Sequence, residues 1–412
     1  MNELFVKKLI AKITRMDFVA VFLQLTLLII GVVFIYGAGV EIGGDFAAKW
    51  YRQIQWIVLG GILYFIIAML DYRILARYSW VFYVLGLLLL LLTFPLGKTI
   101  NHARSWIVFS GSIMLQPSEL MKPATLIFMA WAVSRPAMRG AFIPLSVPAA
   151  VIAFVPVLFI LLQPDYGTAL VFIPFTVAII FASGIRWRSV FIICAVGILM
   201  IPLFYTFMKP HQKERIKVFL ETPANGAFVM ISPFISNQKQ VYFHQKIQDF
   251  FATKNGKKRD NWNALQSLLA VGSGGLTGRG FLKGTQHVLG YLPKTVAPTD
   301  FIFSVIAEET GFLGTSFLLG VLACLCLCYC RTALVSRNAM GSFVALGAAV
   351  ITATHILINI GMTIEAAPII GIPLPFISYG GSFMLGTMIL AGLVQNVYVH
   401  RRILQDEEHD ED

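Results

Sequence analysis

The stretch "FIFSVIAEETGFLGTSFLLGVLACLCLCYC", residues 301–330, is an apolar run that contains two adjacent carboxylates, Glu308 and Glu309, and directly follows Asp300. About 20 apolar residues in a helix cross the hydrocarbon core of a bilayer. A helix also hydrogen-bonds its own backbone, which a segment surrounded by lipid must do. The stretch is therefore predicted to be a transmembrane helix, and its acidic residues need a specific environment.

Apolar stretches of similar length recur along the 412-residue chain. Hydrophobic residues make up 57% of the sequence and charged residues 13%, whereas about a quarter of the residues of a soluble protein are charged. We therefore predict an all-α polytopic membrane protein in which 1–412 forms a single membrane domain. About ten transmembrane helices are expected, at residues 17–39, 50–70, 78–97, 116–134, 143–163, 168–184, 189–208, 301–330, 340–364 and 377–399.

Basic residues in the short loops indicate the orientation of the bundle, because short cytoplasmic loops carry an excess of lysine and arginine. If both termini are cytoplasmic, all of these residues fall on the cytoplasmic side: Lys7, Lys8, Lys12, Arg15, Arg73, Arg77, Arg135, Arg139, Arg186, Arg188, Arg331, Arg337, Arg401 and Arg402. The acidic tail 400–412 is then cytoplasmic, and the long loop 209–299, between helices 7 and 8, is extracytoplasmic. Long loops are translocated largely regardless of charge. A nucleic acid is not expected as a partner of this outward loop, despite the net charge of +11.

Charged and aromatic residues cluster at the predicted outward face. The loop 98–115 contains Arg104 and Trp106. Glu119 and Lys122 follow in the next span, three residues apart and so on one face of a helix. A lysine one turn inside a membrane helix needs water or a partner. A local ion pair at a helix start and a role in ligand binding both remain open for this pair.

Three further segments interrupt the helices near the same face. Asp165 stands at a Pro-Gly break, either as a turn residue or as a group that lines a cavity. The segment 371–382, "GIPLPFISYGGS", is non-helical backbone near membrane depth, which is tolerated only where it is buried in protein or lines a wet cavity. The glycine-rich segment 263–286 lacks a phosphate-loop pattern and is expected to be a re-entrant or surface segment. Together these features predict a wet outward cavity whose acids suit proton transfer or cation binding.

Five motifs, in order, resemble those of the SEDS family (shape, elongation, division and sporulation), and they resemble its elongation branch more than its division branch. They are "LQPSELMK" (115–122), "LLQPDYGTAL" (161–170), "LQSLLAVGSGGLTGRGFLKGTQ" (265–286), "PTDFIFSVIAEETGFLG" (298–314) and "NIGMTIEAAPIIGIPLPFISYGGS" (359–382). The chain departs from the family where it reads "LPKTVAPTDF", because a glutamate and a histidine that usually precede this aspartate are absent.

The resemblance implies a peptidoglycan glycosyltransferase of the bacterial inner membrane, a multi-pass protein with its active site facing outward. Such proteins polymerise lipid II and release undecaprenyl pyrophosphate. They work with a cognate class B penicillin-binding protein and other elongation-complex proteins, among membrane lipids. The essential aspartate of the family falls on Asp300, which becomes the candidate general base.

The chemistry of the implied reaction assigns expected roles to the other polar residues. A sugar hydroxyl attacks an anomeric carbon with inversion, which needs a carboxylate within hydrogen-bond reach. The leaving pyrophosphate needs positive charge, from side chains or from a divalent cation such as Mg²⁺ or Mn²⁺. Glu308 lies about 12 Å along a helix from Asp300, so it and Glu309 are read as a buried polar network or as substrate-binding groups. The remaining substrate-binding candidates are Arg52, Arg104, Trp106, Glu119, Lys122, Asp165, Gln266, Ser378 and Tyr379.

Two other functions remain open from the sequence. A flippase for a lipid-linked precursor needs an anion-binding cavity but no base at Asp300. A non-catalytic scaffold that recruits the penicillin-binding partner depends on the outer loops rather than on the cavity. Lipid II polymerisation by the purified protein with its partner tests the flippase, and Asp300→Ala with retained complex formation tests the scaffold.

Overall fold

The computed structural model describes residues 2–40, 47–70, 72–100, 103–110, 113–135, 146–184, 262–284 and 296–401, with the single residues 206 and 213. The predicted span 189–208, nearly all of 209–261 and the tail beyond Arg401 lie outside the described residues. The helices are α1 (Asn2–Thr14), α2 (Phe18–Val40), α3 (Lys49–Met69), α4 (Tyr72–Leu96), α5 (Pro117–Ser134), α6 (Ser146–Leu162), α7 (Tyr166–Ala182), α8 (Trp262–Ser273), α9 (Ile302–Val335), α10 (Ala339–Thr363) and α11 (Gly381–Val399).

The mostly helical, multi-span architecture is confirmed. Within the described residues, a helix lies over each predicted span. Six of these helices, α2, α3, α4, α9, α10 and α11, are long and apolar enough to cross a membrane. α6 and α7 are shorter apolar helices. The apolar runs therefore located the helices, and their ends shifted by a few residues.

The segment predicted as the loop 98–115 is not a loop, so the all-α prediction is wrong at this point. It forms a three-stranded antiparallel sheet of β1 (Gly97–Ile100), β2 (Ala103–Ser110) and β3 (Ile113–Leu115). Along β2, Ser105 and Ile107 are buried and Arg104 and Val108 are exposed. This period of two is the strand period. The sheet satisfies backbone groups that a loop would leave unpaired beside the membrane.

The centre of the bundle is built around α10 and α11. α11 packs against α3, α5 and α10, whereas α9 packs against α10, α2 and α8. Glycines let these helices approach closely: a β-carbon at Gly386 would lie 2.9 Å from the backbone oxygen of Glu119, and one at Gly392 would lie 2.9 Å from that of Tyr64. Small residues at helix interfaces are typical of membrane bundles.

Helix α9 is broken at Gly311, where φ is 67° and ψ is −162°. The glycine-rich segment 274–280 lies against this break and pairs with it backbone to backbone. Each bond replaces one that the broken helix cannot make, so the break is tolerated at membrane depth. The bonds run from Phe312 N to Gly275 O (2.8 Å), Leu313 N to Leu276 O (3.1 Å), Arg279 N to Glu308 O (3.0 Å) and Gly280 N to Glu309 O (3.0 Å).

We expect Gly278→Ala to destabilise the protein. Gly278 has φ +79°, and an added β-carbon would overlap the backbone oxygen of Glu309. The strained backbone alone costs about 1–3 kcal/mol, and the overlap adds to this cost. The matched control is Gly272→Ala in α8, where a β-carbon meets nothing within 4 Å. Thermal unfolding in detergent should show a lower midpoint for Gly278→Ala only. Equal midpoints for the two variants would contradict this account of the break.

Candidate active site

Asp300 lies two residues before the start of α9 at Ile302, and the backbone of 298–300 is fixed by α10 and by the loop between α10 and α11. Asn359 Nδ2 donates to the backbone oxygens of Asp300 (2.9 Å) and Ile372 (2.7 Å). Ser378 Oγ donates to Thr299 O at 2.6 Å, and Tyr379 N donates to Pro298 O at 2.9 Å. The residues 298–300 are therefore each tied to the loop or to α10.

The Asp300 carboxylate faces Gly371. A β-carbon at Gly371 would lie 3.2 Å from Asp300 Oδ2, and Gly371 has φ +77°. Glycine is thus favoured at this position by its backbone conformation, and it leaves room for the acid. Asp300 is only half-buried, which suits a group that must meet a ligand.

Two basic side chains at the start of α3 lie beside Tyr379. Arg52 is close enough to oppose the rise in the pKa of the Tyr379 hydroxyl that burial causes, and Lys49 Nζ lies 5.4 Å from the centre of the Tyr379 ring. Gln53, on the next position of α3, donates from Nε2 to Ser378 O at 3.1 Å. The predicted site residues Arg52, Ser378 and Tyr379 therefore meet around the segment that holds Asp300. Ser378 itself is buried and bonded to backbone.

Glu119 and Lys122 form the predicted ion pair, with 2.7 Å between Oε2 and Nζ. Lys122 is only 2% exposed. Its ammonium also lies 3.0 Å from His355 Nε2 and 5.6 Å from the centre of the Phe383 ring. These residues line a cavity of about 10 Å³, which is about the space of one water molecule. Contact of Lys122 with a ligand stays a prediction that requires this region to open.

Asp165 is the N-cap of α7 and also binds the start of α5. Its Oδ1 accepts from Thr168 N at 3.3 Å. Its Oδ2 accepts from Gln116 Nε2 at 2.6 Å and from Ser118 Oγ at 3.4 Å. The turn role that the sequence suggested is confirmed, and the carboxylate also links two helices.

Arg104 and Trp106 lie on β2, at the end of α4. Arg104 is exposed, and its guanidinium donates from Nε to Gly97 O (2.9 Å) and from Nη2 to Pro95 O (3.1 Å). Trp106 is half-buried and pairs with Lys98 across the sheet. Arg104 is the predicted pyrophosphate ligand that solvent reaches most easily.

Gln266 is buried on α8, deeper in the bundle beside α9 and α10. Its neighbour Ser267 shares a hydrogen bond of 2.6 Å with Ser304 Oγ and donates to Thr363 O at 2.8 Å. Glu308 is also buried, and its Oε1 lies 3.9 Å from Arg279 Nε. Glu308 and Glu309 are both buried, which agrees with their interpretation as a buried polar network, and a role in substrate binding stays a prediction.

The sequence analysis missed Gln53, His355 and Asn359. Each is a polar residue inside an apolar helix and contacts the Asp300 region or Lys122. Polar residues within membrane spans commonly mark functional or structural contacts. That signal was present in the sequence and could have found all three.

Comparison with known proteins identifies the family of this chain. Residues 18–228 and 226–403 match the profile of a family that is described as a cell cycle protein and comprises FtsW, RodA and SpoVE. The chain belongs to this family. It is the SEDS family that the motifs predicted.

Among the relatives of this SEDS protein is the peptidoglycan glycosyltransferase RodA of Treponema pallidum, at 28% identity over 93% of this chain and 98% of the relative. The crystal structure of the rod shape determining protein RodA of Thermus thermophilus is similar with a TM-score of 0.65 and 26% identity, over 94% of this chain and 98% of that one. A chain from a structure on the coordination of polymerization and crosslinking by a peptidoglycan synthase complex has a TM-score of 0.71 and 27% identity, over 94% and 99%.

We expect Lys122→Met in this SEDS protein to cost more stability than the double change Glu119→Gln with Lys122→Met. The single change leaves a buried carboxylate without its cation, which costs about 3–5 kcal/mol in comparable buried pairs. The double change removes both charges. Unfolding in detergent by heat or denaturant should therefore show a higher midpoint for the double variant than for Lys122→Met. Additive losses would show that the two charges are not coupled.

Proposed function

We propose that this protein is a peptidoglycan glycosyltransferase that polymerises lipid II into glycan strands during cell elongation. The observation that carries the proposal is the placement of Asp300: its backbone is held by Asn359, its carboxylate faces Gly371, and the basic end of α3 lies beside the same loop. The family membership and the RodA relatives support the same activity.

Asp300 acts in this proposal as the general base. It accepts the proton of the attacking sugar hydroxyl as the hydroxyl oxygen bonds to the anomeric carbon of the lipid-linked sugar. The bond from that carbon to the pyrophosphate oxygen breaks, and undecaprenyl pyrophosphate leaves with the electron pair. Direct displacement inverts the anomeric centre. A carboxylate that is half-buried but reachable suits this transfer.

Positive charge beside the leaving pyrophosphate is proposed to come from Arg52 and Arg104, with Lys122 joining after the region around Glu119 opens. Arginine matches phosphate oxygens with its planar, forked donors. Trp106, which is half-buried on β2, is proposed to stack on a sugar ring. Asp165, Gln266, Ser378 and Tyr379 complete the proposed substrate-binding set, in which Ser378 acts by holding the loop.

A resident divalent cation does not fit the described residues well. In the described part of the chain, no group of three or more histidine, cysteine, aspartate or glutamate side chains could hold a metal ion. Asp165 already accepts hydrogen bonds at both carboxylate oxygens. Mg²⁺ or Mn²⁺ brought by the pyrophosphate itself could use one carboxylate. The proposed chemistry depends on no metal-bound step.

The proposed topology has ten transmembrane helices in the bacterial inner membrane, both termini cytoplasmic and the 209–299 loop outside. The described ends of the chain support it. Arg401 Nη1 donates to Arg15 O at 3.2 Å, and Lys12 Nζ donates to Met69 O at 2.9 Å. These basic residues lie together at the ends of α1, α3 and α11, and the opposite end of α3 contacts the Asp300 loop.

The proposed protein partner is a class B penicillin-binding protein that crosslinks the glycan product within the elongation complex. The likeness to a chain of a peptidoglycan synthase complex supports this pairing. The flippase and scaffold alternatives need the same membrane placement, and both differ from the glycosyltransferase in that neither needs Asp300 as a base.

We expect Asp300→Asn to lower lipid II polymerisation by about 10²–10⁴-fold, the usual loss for a general base. The variant keeps its shape and should still insert and co-purify with the penicillin-binding partner. Glu365→Gln is the matched control, because Glu365 is a half-buried acid in the same loop region. Polymerisation is measured with purified complexes and lipid II. A near wild-type rate for Asp300→Asn would move the base to Asp165 or Glu119.

The same variants separate the alternatives. If the wild-type complex forms no glycan polymer under conditions in which an authentic relative does, transport of a lipid-linked precursor is favoured over polymerisation. If Asp300→Ala fully restores cell shape in a strain that lacks the wild-type protein, polymerisation with Asp300 as the base is ruled out and the scaffold function is favoured over the glycosyltransferase.

We expect Arg104→Gln to weaken lipid II binding, and the loss should shrink as salt screens the charge. Arg77→Gln is the control, because it makes the same charge change near the start of α4 on the proposed cytoplasmic side. Titrations of lipid II at low and high salt measure the affinity of both variants. Unchanged binding with lost turnover would instead assign Arg104 to the transition state.

A further inference from the structure

His355 joins the buried ion pair to the loop that faces Asp300. It lies on α10 and is 3% exposed. Its Nε2 is 3.0 Å from Lys122 Nζ, and its Nδ1 is 3.2 Å from the backbone oxygen of Pro373. Neither the reaction derived above nor the sequence motifs give this histidine a role.

The two partners of His355 determine where its proton lies. The carbonyl of Pro373 can only accept a hydrogen bond, so Nδ1 must carry the hydrogen. Nε2 then presents a lone pair, which accepts from the Lys122 ammonium. A doubly protonated ring would place two cations 3.0 Å apart in a buried site, where their repulsion is strong. The geometry therefore requires a neutral imidazole protonated on Nδ1.

Three consecutive residues of the loop are held by separate side chains. Asn359 Nδ2 binds Ile372 O at 2.7 Å, His355 binds Pro373 O, and Leu374 N donates to Ser378 Oγ at 2.8 Å. His355 and Asn359 are four residues apart and so share one face of α10. Gly371, which faces the Asp300 carboxylate, is the residue directly before this held segment.

We propose that His355 is a positioning residue for Asp300. Its bond to Pro373 O holds the backbone of 371–374, and Gly371 in this backbone faces the Asp300 carboxylate. The inference rests on the proposed function, because its kinetic consequence needs Asp300 to be the base. A displacement of about 1 Å at a reacting group can lower a rate by about 10²-fold.

Two isosteric substitutions separate the two contacts of His355. In His355→Asn, the amide nitrogen takes the place of Nδ1, so the bond to Pro373 O is kept and the contact with Lys122 is lost. In His355→Gln, the amide oxygen takes the place of Nε2, so the contact with Lys122 is kept and the bond to Pro373 O is lost. His355→Ala loses both.

The experiment compares the three variants with wild type, each as the purified complex with the penicillin-binding partner and with lipid II as substrate. His355→Asn should keep kcat within about threefold, whereas His355→Gln should lose about 10–100-fold in kcat with KM nearly unchanged. His355→Ala should be at least as impaired as His355→Gln. Hydrogen–deuterium exchange of the peptide that covers 371–378 should rise in the Gln and Ala variants only.

The outcomes are distinct. If kcat follows the unfolding temperatures of the variants, or if the Asn and Gln variants lose the same activity, His355 is only a structural residue and the inference is wrong. Unchanged exchange of 371–378 in His355→Gln would also overturn it. Equal rates for wild type and Asp300→Asn would overturn the base assignment instead, even where exchange confirms that His355 holds the loop.

Discussion

Backbone that leaves the helical path inside a membrane must find hydrogen-bond partners in the protein, and most of this structure follows from that requirement. The break in α9 is paired by the glycine-rich segment 274–280. The loop between α10 and α11 is paired by side chains from α3, α10 and the loop itself. The polar residues of the site therefore serve first to hydrogen-bond the backbone of an irregular loop at this depth. The same hydrogen bonds hold the backbone around Asp300 in place.

Charge is used in two different ways in this frame. Glu119 and Lys122 are buried and neutralise each other at 2.7 Å, which is how a membrane bundle tolerates ions in its interior. Asp300 is half-buried and lies at the end of a helix, next to a glycine that leaves it space. The first arrangement favours rigidity and the second favours access. The site has both because a base must be reachable and must also be held still.

The sequence predicted the helices well, since apolar runs of about 20 residues have few alternatives, and it placed Asp300, Arg52 and Tyr379 in one region. It did not predict the sheet, because β1 and β3 have only 4 and 3 residues and the alternation of buried and exposed residues along β2 is weak evidence within an apolar chain. It also missed Gln53 and Asn359. Their polarity inside apolar runs marks both residues, but the sequence does not show their partners: Gln53 contacts Ser378, 325 positions away. The depth of Lys122 could not be read from spacing alone, since spacing gives a helix face but not what covers it.

The contact between α9 and the segment 274–280 has a consequence for how this chain can vary. A β-carbon at Gly274, Gly278 or Gly311 would overlap backbone atoms of the facing segment. The two segments fit together because these glycines have no β-carbon. An added β-carbon would overlap backbone atoms, so no side-chain change on the facing segment can make room for it. These positions are therefore expected to change very little over evolution, whereas a polar contact such as the Glu119–Lys122 pair can be exchanged for another pair. A map of tolerated substitutions should therefore show these glycines to be as intolerant of change as Asp300.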